Sequence, residues 1–561
     1  MIDRNHAFTK VDGVLFKQML KMLSLDFICN YDSLILKDTK KINKLAFALD
    51  MAVAGRSDES VWIRQAQEIR KQMTDSLIDS AFTYLPEGVK HDEIELIKRK
   101  LKRRRLELEA VACQYYRLLQ RTPVVAGTNQ SDYFLIERQA PDRTILRIYD
   151  PETGDCRLEQ QFSGKETKEL WLYGLAGNDT FEVKGNTRKD FPIYLISGEG
   201  ENQYQLNHSR KIHVYDKDYK YDYQKIKYHK ISFTPWGIYD SDKGISLGTF
   251  FTYTMYGFKR APFTYQHRIG YNYLKGFMYA GVFPNYDGRR RLYLNASISS
   301  PRNFENFFGF GNNTAGYKEE KKNYNRVKLR TYMLNPSFEM DLRKEEVVTF
   351  FGSLDMYKAK RTDDRYIYTV YGEDHPIFRT NYFVGLGATY RITKQPYSWL
   401  PLLETEWTAG WKMNLKKPER NFPYAQGSLS WNVRFSDRFT WASLMKGTVL
   451  FDNDYEFYQA ATIDLRGFRD NRFIGKQSFY QYSDLRLDMG KLKNPFTPLK
   501  YGLFAGFDYG RVWFPGERSH CWHTSYGGGI WLTFLNKFTT KYSWFGSTDS
   551  FRFAFELGLG F

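Results

Sequence analysis

The sequence predicts a mainly β protein: a C-terminal transmembrane antiparallel β-barrel of about sixteen strands, preceded by a helical segment and a small β domain. Three observations carry this reading. First, the chain ends in FRFAFELGLGF, with Phe551, Phe553, Phe555, Leu557, Leu559 and Phe561 on one face of a strand and Arg552, Ala554, Glu556, Gly558 and Gly560 on the other. A period of two is a strand with one apolar face, and about ten such residues cross a bilayer as a tilted barrel strand. Second, aromatic residues make up 17% of the chain, with 42 Tyr and 44 Phe, yet the mean hydropathy is −0.57. No run approaches the ~20 consecutive apolar residues of a membrane helix, which excludes a helical membrane protein. A barrel shows this combination, because its outer face is apolar, its lumen polar, and its interfaces girdled by aromatic rings. Third, the two-residue alternation recurs from about Phe233 to the end of the chain.

Residues 1–122 read as helical. The segment 14–25 is apolar-rich and free of Pro and Gly, and Ile94, Ile97, Leu101, Leu108, Val111, Tyr115 and Leu118 recur at helical spacing. The run KRKLKRRR is set among them; a phosphate contact is conceivable there, but a solvated helix face is the expected reading. Residues 123–230 switch to short alternating segments, at 133–138, 144–149, 170–173 and 193–197, separated by Gly, Asp and Asn turns. Two of those turns, YGLAGNDTFEV and SGEGENQY, faintly resemble the Gly-Asp nonapeptide of calcium-binding β-rolls. Two imperfect copies far apart are expected to be tight turns and not a stacked ligand set. Residues 231–561 form the barrel. Roughly 330 residues at about twenty per strand and connection give on the order of sixteen strands, an even number as single-chain barrels require.

The formal net charge of +18 raises nucleic acid as a partner, but no nucleic-acid motif or zinc-ligand spacing accompanies it. Lys and Arg lining a lumen and meeting anionic lipid are expected instead, with no nucleic acid as partner. Cys29, Cys113, Cys156 and Cys521 are scattered with no CxxC, so one disulfide is conceivable and a metal site is not expected. No Walker loop, HExxH or GxSxG occurs. Asp3, His6 and Asp12 could form an acid/base cluster, but no nucleophile or full ligand set accompanies them, and helix capping is the plainer role. The start, MIDRNHAFTKVDG, lacks the charged n-region and apolar h-region of a signal peptide, so the chain is expected to be part of a longer polypeptide or to have a misplaced start.

One constellation narrows the reading. Leu465-Arg466-Gly467-Phe468 lies in a loop-like stretch, followed by a strand, the turn KNPFTP, the segment YGLFAGFDYG, and the terminal Phe strand. This order resembles the BamA/TamA-type barrel superfamily, the bacterial surface antigen family. The resemblance implies that the Arg-Gly-Phe loop folds into the lumen and that Arg466 locks against Asp508. Alternation independently places Asp508 on the lumen face with Gly502, Phe504, Gly506 and Gly510. Gly467 is expected to allow a tight turn, and Phe468 to pack on Gly506 and Gly510. A C-terminal aromatic strand also resembles the assembly signal of outer-membrane barrels, here Phe551 to Phe561. More narrowly, DRNHAFTKVDG, LKRRRLELEAVACQYYRLL, VVAGT, ETKELWLYGLAGNDTFEVKG and NFFGFGN resemble the C-terminal part of a family that fuses a calcineurin-like metallophosphatase to such a barrel. That family's metal-binding blocks are absent, so no phosphoesterase activity, metal or cofactor is expected of this chain. The POTRA modules usual in the superfamily are not visible either.

Two functions follow as expectations. One is a barrel in the outer membrane of a Gram-negative bacterium that assembles membrane proteins or translocates a polypeptide. Outer-membrane lipid, the barrel assembly machinery and a polypeptide substrate would then be its partners. The other is a membrane anchor for a fused soluble domain, with residues 1–230 on the periplasmic or exposed side.

Overall fold

The computed structural model describes residues 20, 28–32, 35–85, 91–139, 141–185, 190–207, 210–215, 221–222, 227, 229–240, 242–257, 260, 262–285, 288–314, 323–394, 403–492, 499–534 and 538–559. Asp3, His6, Asp12, nearly all of the apolar segment 14–25, and Phe561 lie outside them. The chain divides into two compact units, one of residues 1–229 with 256–259, the other of residues 230–255 with 260–561. None of the described helices is long and apolar enough to cross a membrane.

In the first unit the helix His91–Leu119 packs along Glu59–Gln72. Its C-terminal end buries Tyr115 and Leu119 together with Phe47, Met51, Val124, Trp171, Tyr173 and Ile196, so the helices and the β segments share a core. The basic run is a set of tethers more than a solvated face. Lys100 donates to the Tyr31 carbonyl at 2.6 Å, and Arg104 donates to the Asp32 carbonyl and lies 3.8 Å over the Tyr31 ring. Lys102 pairs with Asp79 at 2.7 Å and Arg105 with Asp75 at 3.0 Å. No disulfide joins Cys29, Cys113, Cys156 and Cys521.

The strands of this unit stack in parallel rungs. Val124–Ala126, Leu170–Tyr173, Ile193–Ile196 and Ile212–Tyr215 form one parallel sheet. Tyr133–Gln139, Thr180–Lys184 and Gln203–Leu206 form the second parallel stack, extended by the antiparallel Arg143–Tyr149 and Cys156–Ser163. The two Gly-rich turns are therefore not separate, as sequence spacing implies; they are superposed corners of successive rungs. The Asp132 N–H donates to Asp179 at 2.9 Å, and the Asp179 N–H donates to Asn202 at 2.9 Å, forming a ladder one residue wide. Phe134, Phe181 and Tyr204 stack beside it at 4.5 and 5.7 Å. The corners must be glycine because a Cβ on Gly200, at φ +121°, would lie 1.9 Å from the Gly177 carbonyl of the rung below. The ladder is a device for joining rungs, and among the described residues no cluster of three or more His, Cys, Asp or Glu is arranged to hold a metal.

The second unit is a closed antiparallel barrel. Sixteen long strands make its wall among the described residues, from Lys230–Asp240 to Phe551–Leu559, each paired to its neighbour; a short strand, Phe304–Asn306, adds to one of them at the rim. Along the wall, Ile245, Leu247, Phe251, Leu386, Trp407, Leu503 and Phe507 face outward and exposed. Ser246, Thr252, Asn272, Thr331, Asp355 and Asp484 face inward and buried. Strand-to-strand pairing around the wall satisfies most of its backbone groups without water, and the outward apolar belt, costly in water at about 25 cal/mol per Å², is satisfied by lipid. The fold is thus that of an outer-membrane-type β-barrel.

The connections 299–325, 360–380 and 451–476 all leave one rim, while the first strand enters and the last ends at the other, short-turn rim. The long loops fill the lumen at their own end. Phe307, Ile367, Ile377 and Phe457 pack there against the inward-facing Val327, Leu329, Tyr357 and Phe383.

The buried Asp179 yields a test of the rung ladder. Its carboxyl is wholly inaccessible, one oxygen lacks a partner, and burial pushes it up to about 7. The folded state therefore holds this proton more tightly than the unfolded chain, and stability should fall as pH rises from about 4 to 7, by on the order of 4 kcal/mol in total. Asp179→Asn should flatten that slope and raise the denaturant midpoint of the first unit, read on the full chain in detergent, at pH 8. An unchanged pH dependence would show that Asp179 does not titrate this way.

Candidate functional site

The connection 451–476 turns back into the lumen and is pinched at its base by the short antiparallel pair Ala461–Thr462 and Ile474–Gly475. Arg466 stands in the fold-back. Its Nε donates to both Asp508 oxygens at 2.9 and 3.1 Å, its backbone N–H donates to Asp508 Oδ2 at 3.2 Å, and its Nη2 also bonds Asp508. Its Nη1 donates to Asp484 at 2.7 Å, and Ser525 Oγ donates to Asp508 at 3.0 Å. The guanidinium lies 3.9 Å over the Phe545 ring. Alternation in Leu499–Trp513 turns Asp508 inward, and Asp484 comes from the adjacent strand Gln477–Leu492, opposite Gly506. One planar fork thus bridges two buried carboxylates on neighbouring strands, a geometry that a lysine cannot reproduce.

The glycines serve close approach. Gly467 does not occupy the left-handed region; a Cβ there would meet Ser525 and Ser547 side-chain atoms and the Gly546 carbonyl at 2.7–2.9 Å. The loop does turn tightly there, as expected, with the Phe468 N–H donating to the Leu465 carbonyl at 2.9 Å, and the bare glycine also lets that turn lie against the wall. Phe468 sits elsewhere than expected. It packs with Ile463, Leu465, Phe473, Tyr480 and Val512, with Phe473 at 5.3 Å and His523 at 5.9 Å. The space beside Gly506 is taken by Arg466, Asp484 and Phe545, where a Cβ would fall within 2.8 Å of each.

The loop grips the wall on both sides of the point where the barrel closes. That closure, between Lys230–Asp240 and Phe551–Leu559, consists of two residue pairs among the described residues, Tyr239 with Phe555 and Asp240 with Ala554. The hairpin partner of the first strand makes eleven. On the first-strand side, Arg469 pairs with the buried Asp242 of the first turn, and Asp470 with Lys243 at 2.9 Å. Asn306 and Arg326 also reach Asp242. On the last-strand side, Arg552 donates to the Phe468 carbonyl, Ser547 donates to the Gly467 carbonyl at 2.7 Å, and Arg472 pairs with Asp549. Below the loop is a lumen cavity of about 470 Å³ lined by Tyr482, Arg486, Lys541, Ser543 and Glu556 among others.

The structure brings Arg466, Gly467, Phe468 and Asp508 together. In the last strand Phe551 is exposed, while Phe553 and Phe555 are half-buried and pack on Trp544 and Tyr542 at 5.0 Å. The side chains of Leu557 and Leu559 are outside the described set, as is Phe561. Sequence reasoning missed Asp484, Asp242, Arg469, Asp470, Arg472 and Arg552. Two signals were available: Asp484 shares the inward parity of Tyr480 and Tyr482, and the arginines of RGFRDNR recur every third residue.

No family model and no curated protein matches the chain. Among solved structures it is similar to BamA from Haemophilus ducreyi lacking POTRA domains 1–3, at 12% identity and a TM-score of 0.42 over 61% of this chain and 72% of that one. It is also similar to CdiB from Escherichia coli, at 10% identity and 0.36 over 59% and 62%, and CdiB from Acinetobacter baumannii, at 11% and 0.36 over 60% and 66%. The chain thus spans less than two thirds of either CdiB.

Removing one partner of a buried ion pair leaves the other uncompensated, at a cost of about 3–5 kcal/mol. Arg466→Ala should therefore lower the temperature at which the barrel loses its compact mobility on unheated gels, and Arg466→Lys should restore little. The double variant Arg466→Met with Asp508→Leu should be less destabilised than the two single changes summed. Additive losses would mean that the pair is not coupled.

Proposed function

We propose that this chain is an outer-membrane barrel of the BamA/TamA type, working in membrane-protein assembly or polypeptide translocation, whose wall opens at its closure and whose Arg466 loop holds that closure shut. The observation that supports it most is the contrast between two pairs at the closure and eleven in the adjoining hairpin, with a loop bonded to both flanks of the weak joint. Ladder hydrogen bonds are the main cost of separating strands, so the joint with fewest is where a wall opens at least cost. The proposal assigns the chain a Gram-negative outer membrane, with outer-membrane lipid, the assembly machinery during biogenesis and a polypeptide substrate as partners. It assigns no nucleic acid, cofactor or catalysis.

A second reading has a specific observation behind it. The apolar packing of Phe307, Ile367 and Phe457 closes the lumen at the long-loop end, as suits a static anchor for a fused soluble domain such as the metallophosphatase absent from this chain.

Ion flux through the purified full chain in liposomes separates the two. Wild type should be nearly silent, and Arg466→Ala, folded as judged by its unheated gel mobility, should raise flux several-fold. A folded Arg466→Ala barrel as silent as wild type would favour the anchor.

A further inference from the structure

The strand that presents Asp508 to the lumen presents Tyr509, Arg511 and Trp513 to the opposite, lipid-facing side of the wall. Leu503, Phe507 and Trp513 of that face are exposed, and Val512 between them is buried inward against the Phe468 cluster, so the alternation holds to the end of the strand. Arg511 pairs in register with the outward Phe479. Its guanidinium lies 4.8 Å from the Trp513 ring and 5.7 Å from Trp522, and Trp522 in turn packs on Tyr509 at 5.7 Å and Phe479 at 6.2 Å. Two indoles thus face one cation, with Tyr509 and Phe479 packed on Trp522, at the long-loop rim, the level at which aromatic girdles meet lipid headgroups.

What this cation lacks is an anion. Arg511 is 9% exposed, its Nη2 donates to the Ser519 carbonyl at 2.7 Å, and its Nε is buried without a partner. Among the described residues no carboxylate lies within ion-pairing distance of it. The arginines on the other side of the wall are treated differently: Arg466, Arg469 and Arg472 each hold a carboxylate. A guanidinium withdrawn from water without a counter-charge is unstable, and cation–π contact with two indoles offsets only part of that cost. The connection beyond the strand adds the exposed Arg518 and His520, and no outward carboxylate is set against Arg511.

We propose that Arg511, framed by Trp513 and Trp522, binds the phosphate of a lipid headgroup in the leaflet at the long-loop rim. Arginine suits phosphate because its fork donates two parallel hydrogen bonds. A lipid is favoured over free phosphate because the site opens on the hydrocarbon side of the wall, where acyl chains have exposed Phe507 and Leu503 to cover.

The test is native mass spectrometry of the full chain in detergent with three probes: phosphatidic acid, diacylglycerol with the same acyl chains, and inorganic phosphate. Wild type should retain phosphatidic acid about tenfold more tightly than diacylglycerol, Arg511→Gln should lose that preference, and Arg511→Lys should keep part of it. Trp522→Ala, which leaves the strand untouched, should weaken it severalfold and serves if Arg511→Gln does not fold. Arg343→Ala, on an exposed side chain, should bind as wild type does. A folded Arg511→Gln or Trp522→Ala that keeps the full preference overturns the site. Displacement of the lipid by equimolar inorganic phosphate overturns its assignment to a lipid.

Discussion

A carboxylate with no access to water, set on the inner face of a membrane barrel, is stable only with a cation beside it, and Asp508 is such a group. Arg466 meets it from a loop that the chain reaches only by folding back into the lumen. The pairing fixes the loop, and the loop then fixes much else. Gly467 lies against Ser525 and Ser547 because the backbone is drawn to the wall, and Gly506 is bare because the guanidinium and Asp484 occupy the space a side chain would need. Charge, burial and backbone path are one constraint here, which is why no single residue of the four can be understood alone.

The same loop has consequences for the wall. A barrel is stiff where its ladders are long and soft where they are short, and the closure between the first and last strands is the short one. The loop's other arginines and Asp470 place their partners on either side of it, at Asp242 and Lys243 on one flank and at Asp549 on the other, while Arg552 holds the Phe468 carbonyl. Ion pairs inside a lumen are partly shielded from bulk water and keep more of their strength than surface pairs, so a few can compensate for missing ladder bonds. The wall and its strap therefore form a two-part element, with the stability of each set by the other.

Much of this was legible in the sequence, and the reasons differ by element. The alternation of Ile245, Leu247 and Phe251 against Ser246 and Thr252 records the two solvents on either side of a strand, so wall and lumen could be read directly. The inward parity of Asp508 followed from the same rule. The partner of that carboxylate came only from a family resemblance, because nothing local in Leu465 to Phe468 says where the loop points. Asp242, more than two hundred residues from Arg469, was illegible for the same reason. The rung corners at Gly177 and Gly200 were legible as tight turns but not as stacked ones: stacking depends on parallel strands brought together in space, and a 23-residue interval hides a repeat that a nine-residue one would show.

The most direct test of the central claim is a distance measured across the closure. Spin labels at Ile245 and Trp544 sit one strand outside it on each side, on exposed positions that take no part in its pairing. With the loop in place the distance distribution should be single and narrow. With Arg466→Ala, in a barrel that remains folded, it should broaden and shift to longer distances. A narrow, unshifted distribution in that variant would show that the closure holds without the Arg466 loop, and would contradict the account.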